Sequence, residues 1–227
     1  MATNKERIEG RGAAIRVENL DTDQIMPKQF LRGIGKEGLA QGLLYDLRFD
    51  SNGEPRPEFV LNRPESTGTK VLVGGANFGC GSSREHAVWG LLQYGIQAVV
   101  APSFGDIFFG NAMNNGLMLV TLKPADVAAL MADMDSEQPH MFIDVLTKSI
   151  HSASVQATFT LSSRHQRMFL EDLDVIGLSM TYGEEISSFA TQHFERYPWL
   201  KGVGRLVHDR RSTPAPRRSQ QGGKSDE

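Results

Sequence analysis

Between residues 70 and 135, short apolar runs alternate with segments of helical period. Lys70–Gly74 (KVLVG), Gln97–Ala101 (QAVVA) and Leu117–Leu122 (LMLVTL) read as strands. Ser82–Tyr94 reads as a helix, with Val88, Leu91 and Leu92 at helical spacing and Gly95 as its C′ residue. Ser103 with Asp106 opens a second helix, which Gly116 closes, and Pro124 suits the first turn of an element over about residues 124–135. Strand–helix–strand–helix–strand order predicts an α/β fold. Its sheet is partly parallel, with flanking helices and right-handed crossovers. Ala14–Val17, Phe142–Leu146 and Val155–Leu161 read as further strands, and residues 164–197 as mainly helical with a turn near Gly177–Gly183.

The rest of the chain is less regular. Residues 28–69 hold many Gly, Pro and charged residues, and read as an extended loop with one short helix near Leu39–Leu47. Residues 209–227 contain almost nothing to bury and read as disordered. At 227 residues the expected organisation is one domain over residues 1–202 and a tail over residues 203–227. A composition of 40% hydrophobic and 22% charged residues suits a soluble globular protein. A net charge of −3 argues against a nucleic-acid binder. The single cysteine rules out an internal disulfide framework and suits a reducing cytoplasm. No run of about 18 apolar residues is present, so no membrane span is expected. The first residues are charged and lack a signal-peptide core.

Residues 77–87 (NFGCGSSREHA) concentrate the chemistry. Small residues carry the backbone off a strand, then two hydroxyls and an arginine open a helix. Such a turn aims backbone N–H groups, hydroxyls and a guanidinium at one small anion. Ser82 and Glu85 have capping-box spacing. Arg84 can hold a carboxylate bidentately, and the Ser82 hydroxyl would sit at the positive end of the helix dipole. Taken alone, Ser-Ser-Arg-Glu is more simply a plain N-cap with a surface arginine, but a routine cap does not call for Gly79 and Gly81 beside it.

Other readings weigh less. Gly74–Gly79 loosely imitates a dinucleotide fingerprint, but the helix begins after it, and Ala101-Pro102 stands where a ribose-binding acid belongs. Cys80 near a helix start could be a nucleophile with His86 as base. A small residue in a tight turn is the simpler account. Asp21-Thr22-Asp23 is a second polar cluster, either an Asx-turn or a group that orients the serine–arginine site. His140, His151, His165, His193 and His208 show no metal-ligand spacing.

Five stretches together carry a resemblance. They are Asn19–Pro27 (NLDTDQIMP), Phe59–Asn62 (FVLN), Gly75–His86 (GANFGCGSSREH), Val99–Gly116 (VVAPSFGDIFFGNAMNNG) and Leu173–Leu178 (LDVIGL), with Pro198-Trp199-Leu200 near the end. With them the chain resembles the small-subunit family of the 3-isopropylmalate dehydratases, the swivel domain of the aconitase superfamily. The resemblance implies a swivelling β/β/α domain of the aconitase C-terminal type. It implies a cytoplasmic hydro-lyase of leucine biosynthesis that interconverts 2- and 3-isopropylmalate through isopropylmaleate. Citramalate, dimethylmalate or homoaconitate as substrate, or a non-catalytic dicarboxylate-binding module, are the alternatives.

The resemblance also implies roles. Ser82 would be the base on the carbon-bound proton, and Ser83, Arg84 and Gly81 would hold substrate carboxylates. Asp21, Thr22 and Asp23 would form a supporting polar network. Phe30, Leu31, Arg32 and Ile34 would belong to the loop that reads the alkyl group, loosened here by Gly33 and Gly35. No cofactor is expected on this chain. A [4Fe–4S] cluster is expected on a large partner subunit, because one cysteine cannot hold it.

Overall fold

The computed structural model describes residues 5–31 and 37–212, of which 209–212 are described in backbone only. The chain divides into two units, residues 1–178 and 179–227.

The first unit is built on a seven-stranded sheet. Its strands are β1 (Arg7–Ile15), β2 (Val71–Gly74), β3 (Ala98–Ala101), β4 (Met118–Thr121), β5 (His140–Asp144), β6 (Ser149–His151) and β7 (Gln156–Thr158). The spatial order is β4-β3-β2-β1-β5-β6-β7. β1 joins two halves of opposite character. Its later residues pair in parallel with β2, from Gly12 against Val71 to Ile15 against Gly74. Its earlier residues pair antiparallel with β5, from Arg7 against Asp144 to Arg11 against His140. β2, β3 and β4 continue the parallel half, and β5, β6 and β7 the antiparallel half.

Val71, Leu72 and Val73 of β2 and Ala98, Val99 and Val100 of β3 are wholly buried. Unbroken apolar runs of this kind belong to parallel strands covered on both faces. The helices of the unit are α1 (Thr22–Ile25), α2 (Leu39–Gly42), α3 (Tyr45–Arg48), α4 (His86–Tyr94), α5 (Asp106–Asn114), α6 (Pro124–Asp133) and α7 (Ser163–Leu170), with α8 (Val175–Met180) reaching the boundary. α6 starts on Pro124, and α4 ends on Gly95 at φ 107°, as the sequence predicts. The partly parallel sheet with flanking helices is the fold expected.

Several boundaries differ from the sequence reading. β1 starts at Arg7 rather than Ala14, because pairing with β5 captures a polar segment that has no strand pattern of its own. β6 is not foreseen: only Ile150 of its three residues is buried, and its neighbours β5 and β7 define it. β7 is shorter than Val155–Leu161. The single helix near Leu39–Leu47 is two, α2 and α3, split where Leu43 and Leu44 turn inward and Leu44 adopts φ 52°.

The second unit holds α9 (Gly183–Arg196), a turn at Pro198–Leu200 and α10 (Val203–Ser212). The sequence reading starts the unstructured tail at 203. Val203, Leu206 and Val207, at helical spacing, instead lie on α10. Residues 213–227 lie outside the described part.

Candidate active site

The glycine-rich segment continues the parallel half of the sheet beyond its strands. Phe78 bridges to Phe104 in the connection after β3, and Cys80 bridges to Asp21 in the connection after β1, both in parallel. Phe78 N–H donates to Ser103 O at 3.0 Å, and Gly105 N–H to Phe78 O at 2.9 Å. On the other side Gly79 N–H donates to Leu20 O at 2.7 Å, and Thr22 N–H to Cys80 O at 2.9 Å. The segment thus lies at the carboxyl ends of β1, β2 and β3, where α/β sheets place their ligands. Asn77, Gly79 and Gly81 have φ of 56°, 74° and 91°. At Gly79 the left-handed backbone is combined with a closely packed Phe108 ring, which leaves no room for a Cβ.

This geometry moves the helix start. α4 begins at His86, and its cap residue Glu85 makes no side-chain capping bond. The expected Ser82–Glu85 capping box is absent because both side chains are engaged elsewhere. Ser82 Oγ lies 2.9 Å from Thr22 Oγ1. Glu85 Oε1 accepts from Asn115 Nδ2 at 2.5 Å, and Asn115 Oδ1 accepts from Trp89 Nε1 at 2.9 Å. Ser103 likewise caps no helix: its Oγ accepts from Asn77 N–H at 2.8 Å, and α5 starts on Asp106.

The capping box is instead on α1. Asp21 Oδ1 accepts from Gln24 N–H at 2.7 Å, and Gln24 Oε1 accepts from Asp21 N–H at 3.1 Å. This box fixes the next two residues against the motif. Thr22 Oγ1 donates to Ser82 O at 3.0 Å besides meeting Ser82 Oγ. Asp23 forms an ion pair with Arg84. The two polar clusters singled out in the sequence therefore meet residue by residue. Gly81, Ser82 and Ser83 are exposed, Arg84 is half-buried, and Thr22 is 1% exposed. The result is an open polar face with a buried frame behind it.

Cys80 and His86 do not form a pair. Cys80 Sγ donates to Asn19 O at 3.3 Å, and the His86 ring rests on Trp89 at 4.7 Å. Phe30 contacts the Tyr45 ring at 5.0 Å, and Phe30 and Leu31 pack against the core. Arg32 and Ile34 lie outside the described residues. A hollow of about 790 Å³ is lined by Thr121, Lys123, Ser149 and Phe159 among others, and by none of the motif residues. Among the described residues no three His, Cys, Asp or Glu side chains converge to hold a metal ion. None of their helices is long and apolar enough to cross a membrane.

Residues 4–125 match the family described as the aconitase C-terminal domain. A 3-isopropylmalate dehydratase small subunit of Chromobacterium violaceum is 59% identical over 205 residues, covering 90% of this chain and 97% of that protein. The chain belongs to the small-subunit family of the 3-isopropylmalate dehydratases. Another member of the family, from Caulobacter vibrioides, is 43% identical over 196 residues, covering 86% of this chain and 97% of that protein. The fold is shared with a crystal structure of 3-isopropylmalate dehydratase from Methanocaldococcus jannaschii. That match has a TM-score of 0.58 at 27% identity, and covers 80% of this chain and 98% of the archaeal one. In this chain the Gly81–Arg84 segment lies within the part that matches the aconitase C-terminal domain.

Proposed function

We propose that this chain is the small subunit of a 3-isopropylmalate dehydratase, a hydro-lyase that isomerises 2- and 3-isopropylmalate through isopropylmaleate in leucine biosynthesis. The family names support the reaction. The observation that carries the site is the pairing of Thr22 with Ser82 and of Asp23 with Arg84, which frames the exposed Gly81–Ser83 face from behind.

Ser82 is assigned as the base. In the dehydration direction Ser82 acts as its alkoxide. A substrate C–H bond breaks, the proton joins the anionic Ser82 Oγ to give a neutral hydroxyl, and the electron pair stays on the carbon next to a carboxylate. Rehydration returns that proton to carbon and regenerates the alkoxide. That carbanion is enolate-like and doubly charged, so cationic and N–H groups must be placed before it forms. Arg84, fixed by Asp23, has N–H groups left for a substrate carboxylate, and Ser83 and the backbone of Gly81 supply further donors. A serine is a weak base in water, so this face must be covered to work. The cover is the large subunit that a small subunit implies. Loss of hydroxide calls for a Lewis acid, and one cysteine in this chain makes no cluster site. We assign the [4Fe–4S] cluster to the large subunit. The stretch from Phe30 through Ile34 is assigned to reading the alkyl group, and the cytoplasm is the expected compartment.

The test is reconstitution with the large subunit and steady-state rates on isopropylmalate, citramalate, dimethylmalate and homoaconitate. Activity should need both chains and favour isopropylmalate. Activity of this chain alone, or a preference for a methyl-bearing substrate, would overturn the assignment.

A further inference from the structure

Thr22 is 1% exposed, yet its hydroxyl lies within hydrogen-bond distance of two oxygens of one exposed residue. Ser82 O is 3.0 Å away and Ser82 Oγ 2.9 Å away. A hydroxyl carries one proton, so Thr22 donates to one of these at a time. While Ser82 is neutral, Thr22 donates to the Ser82 carbonyl and the Ser82 hydroxyl donates to Thr22. An anionic Ser82 Oγ can only accept. Rotation about one C–O bond then turns the Thr22 proton onto it, and the new bond is charge-assisted and stronger than the one given up.

The surroundings hold Thr22 to this task. Its own N–H is bonded to Cys80 O at 2.9 Å, and the Asp21–Gln24 box locks α1. The nearby charges are spent on other partners. Asp21 accepts from Gln24 N–H, Asp23 and Arg84 neutralise each other, Glu85 is bonded to Asn115, and the Cys80 thiol points to Asn19 O.

We propose that Thr22 is the positioning residue of the proton transfer: its hydroxyl swings from the carbonyl to the Oγ of Ser82, stabilising and aiming the basic form. This rests on the assignment of Ser82 as base. When the substrate proton reaches Ser82 Oγ, the Thr22 proton returns to the carbonyl, and no net proton is gained or lost by Thr22.

Two measurements decide it. In the full chain carrying Cys80→Ala and Ser82→Cys, residue 82 holds the only thiol, and iodoacetamide reports its thiolate fraction as a function of pH. Adding Thr22→Val should slow alkylation at neutral pH by about tenfold, as expected when a hydrogen bond to the charged form is lost. Thr22→Ser should restore the rate. Equal rates in all three overturn the proposal.

In the reconstituted complex with Ser82 intact, Thr22→Val should lower kcat by about 10–100-fold with KM for isopropylmalate unchanged, while Thr22→Ser keeps most of the rate. A raised KM at constant kcat, or equal losses in the valine and serine variants, overturns it as well. If Thr22→Val fails to fold, Thr22→Ala removes the same hydroxyl in both measurements. A parent complex inactive on every alkylmalate would refute the functional assignment, and the alkylation rates would still decide the role of Thr22.

Discussion

Asp23, near the start of α1, is ion-paired with Arg84, two residues before α4. The pair joins chain segments that meet only in the folded protein. Both side chains keep some exposure, 42% for Asp23 and 23% for Arg84. A pair with that much water access contributes about 0–1 kcal/mol to stability. Its consequence is therefore geometric: it fixes a guanidinium that would otherwise be free to rotate.

Asp23→Asn keeps the shape and removes the charge. It should leave thermal unfolding nearly unchanged and raise KM about tenfold, with a smaller effect on kcat. Arg84→Lys keeps the charge and loses the planar fork, so it should raise KM and lower kcat together. Unchanged kinetics in both variants would show that the pair is only a surface contact.

Ser82 caps no helix, so its replacement tests chemistry with little interference from folding. Ser82→Ala should lower kcat by roughly 10²–10⁴ with little change in KM. The unfolding free energy should shift by less than about 1 kcal/mol, since only the hydroxyl contact to Thr22 is lost. Ser82→Gly should be equally inactive. Near-parental activity of either variant would place the base elsewhere.

Cys80 sits in the tight segment with its thiol on a backbone carbonyl and away from His86. Cys80→Ser, which can make the same bond, should retain most activity in the reconstituted complex. A loss beyond about a hundredfold with folding intact would instead indicate acid–base or nucleophilic work by the thiol.

Asp133 ends α6 and accepts from Ser152 Oγ at 2.5 Å, Ser154 N–H at 2.9 Å and Ser154 Oγ at 2.7 Å. Burial pushes its carboxyl upward, but the bonds from Ser152 and Ser154 outweigh this and hold it below its ordinary 3.8. A depressed carboxyl stabilises the fold above the unfolded value, and that stability is lost as pH falls through the folded one. Asp133→Asn should therefore melt lower than the parent near pH 6, and the difference should shrink as the pH drops below about 4. A difference independent of pH would mean that packing, not charge, is at work there.

The order of strands and helices between residues 70 and 135 is legible in the sequence because each element there signals itself. β2 and β3 are apolar runs buried on both faces, Pro124 opens α6 and Gly95 closes α4. The same local signals mark the Gly79–Arg84 segment and the Asp21–Asp23 cluster as the two polar features to explain. β6, the early part of β1 and the start of α4 carry no such signal. Each is decided by a partner distant in sequence: β6 and β1 by pairing with β5, and α4 by the capture of Ser82 and Glu85 by Thr22 and Asn115. Composition and motif spacing by themselves determine that this is an α/β chain with a serine–arginine turn. Only the tertiary structure decides that Thr22 meets Ser82 and Asp23 meets Arg84. Those hydrogen bonds and charges span about sixty residues of sequence, and only the alignment of β1 beside β2 brings the two segments together.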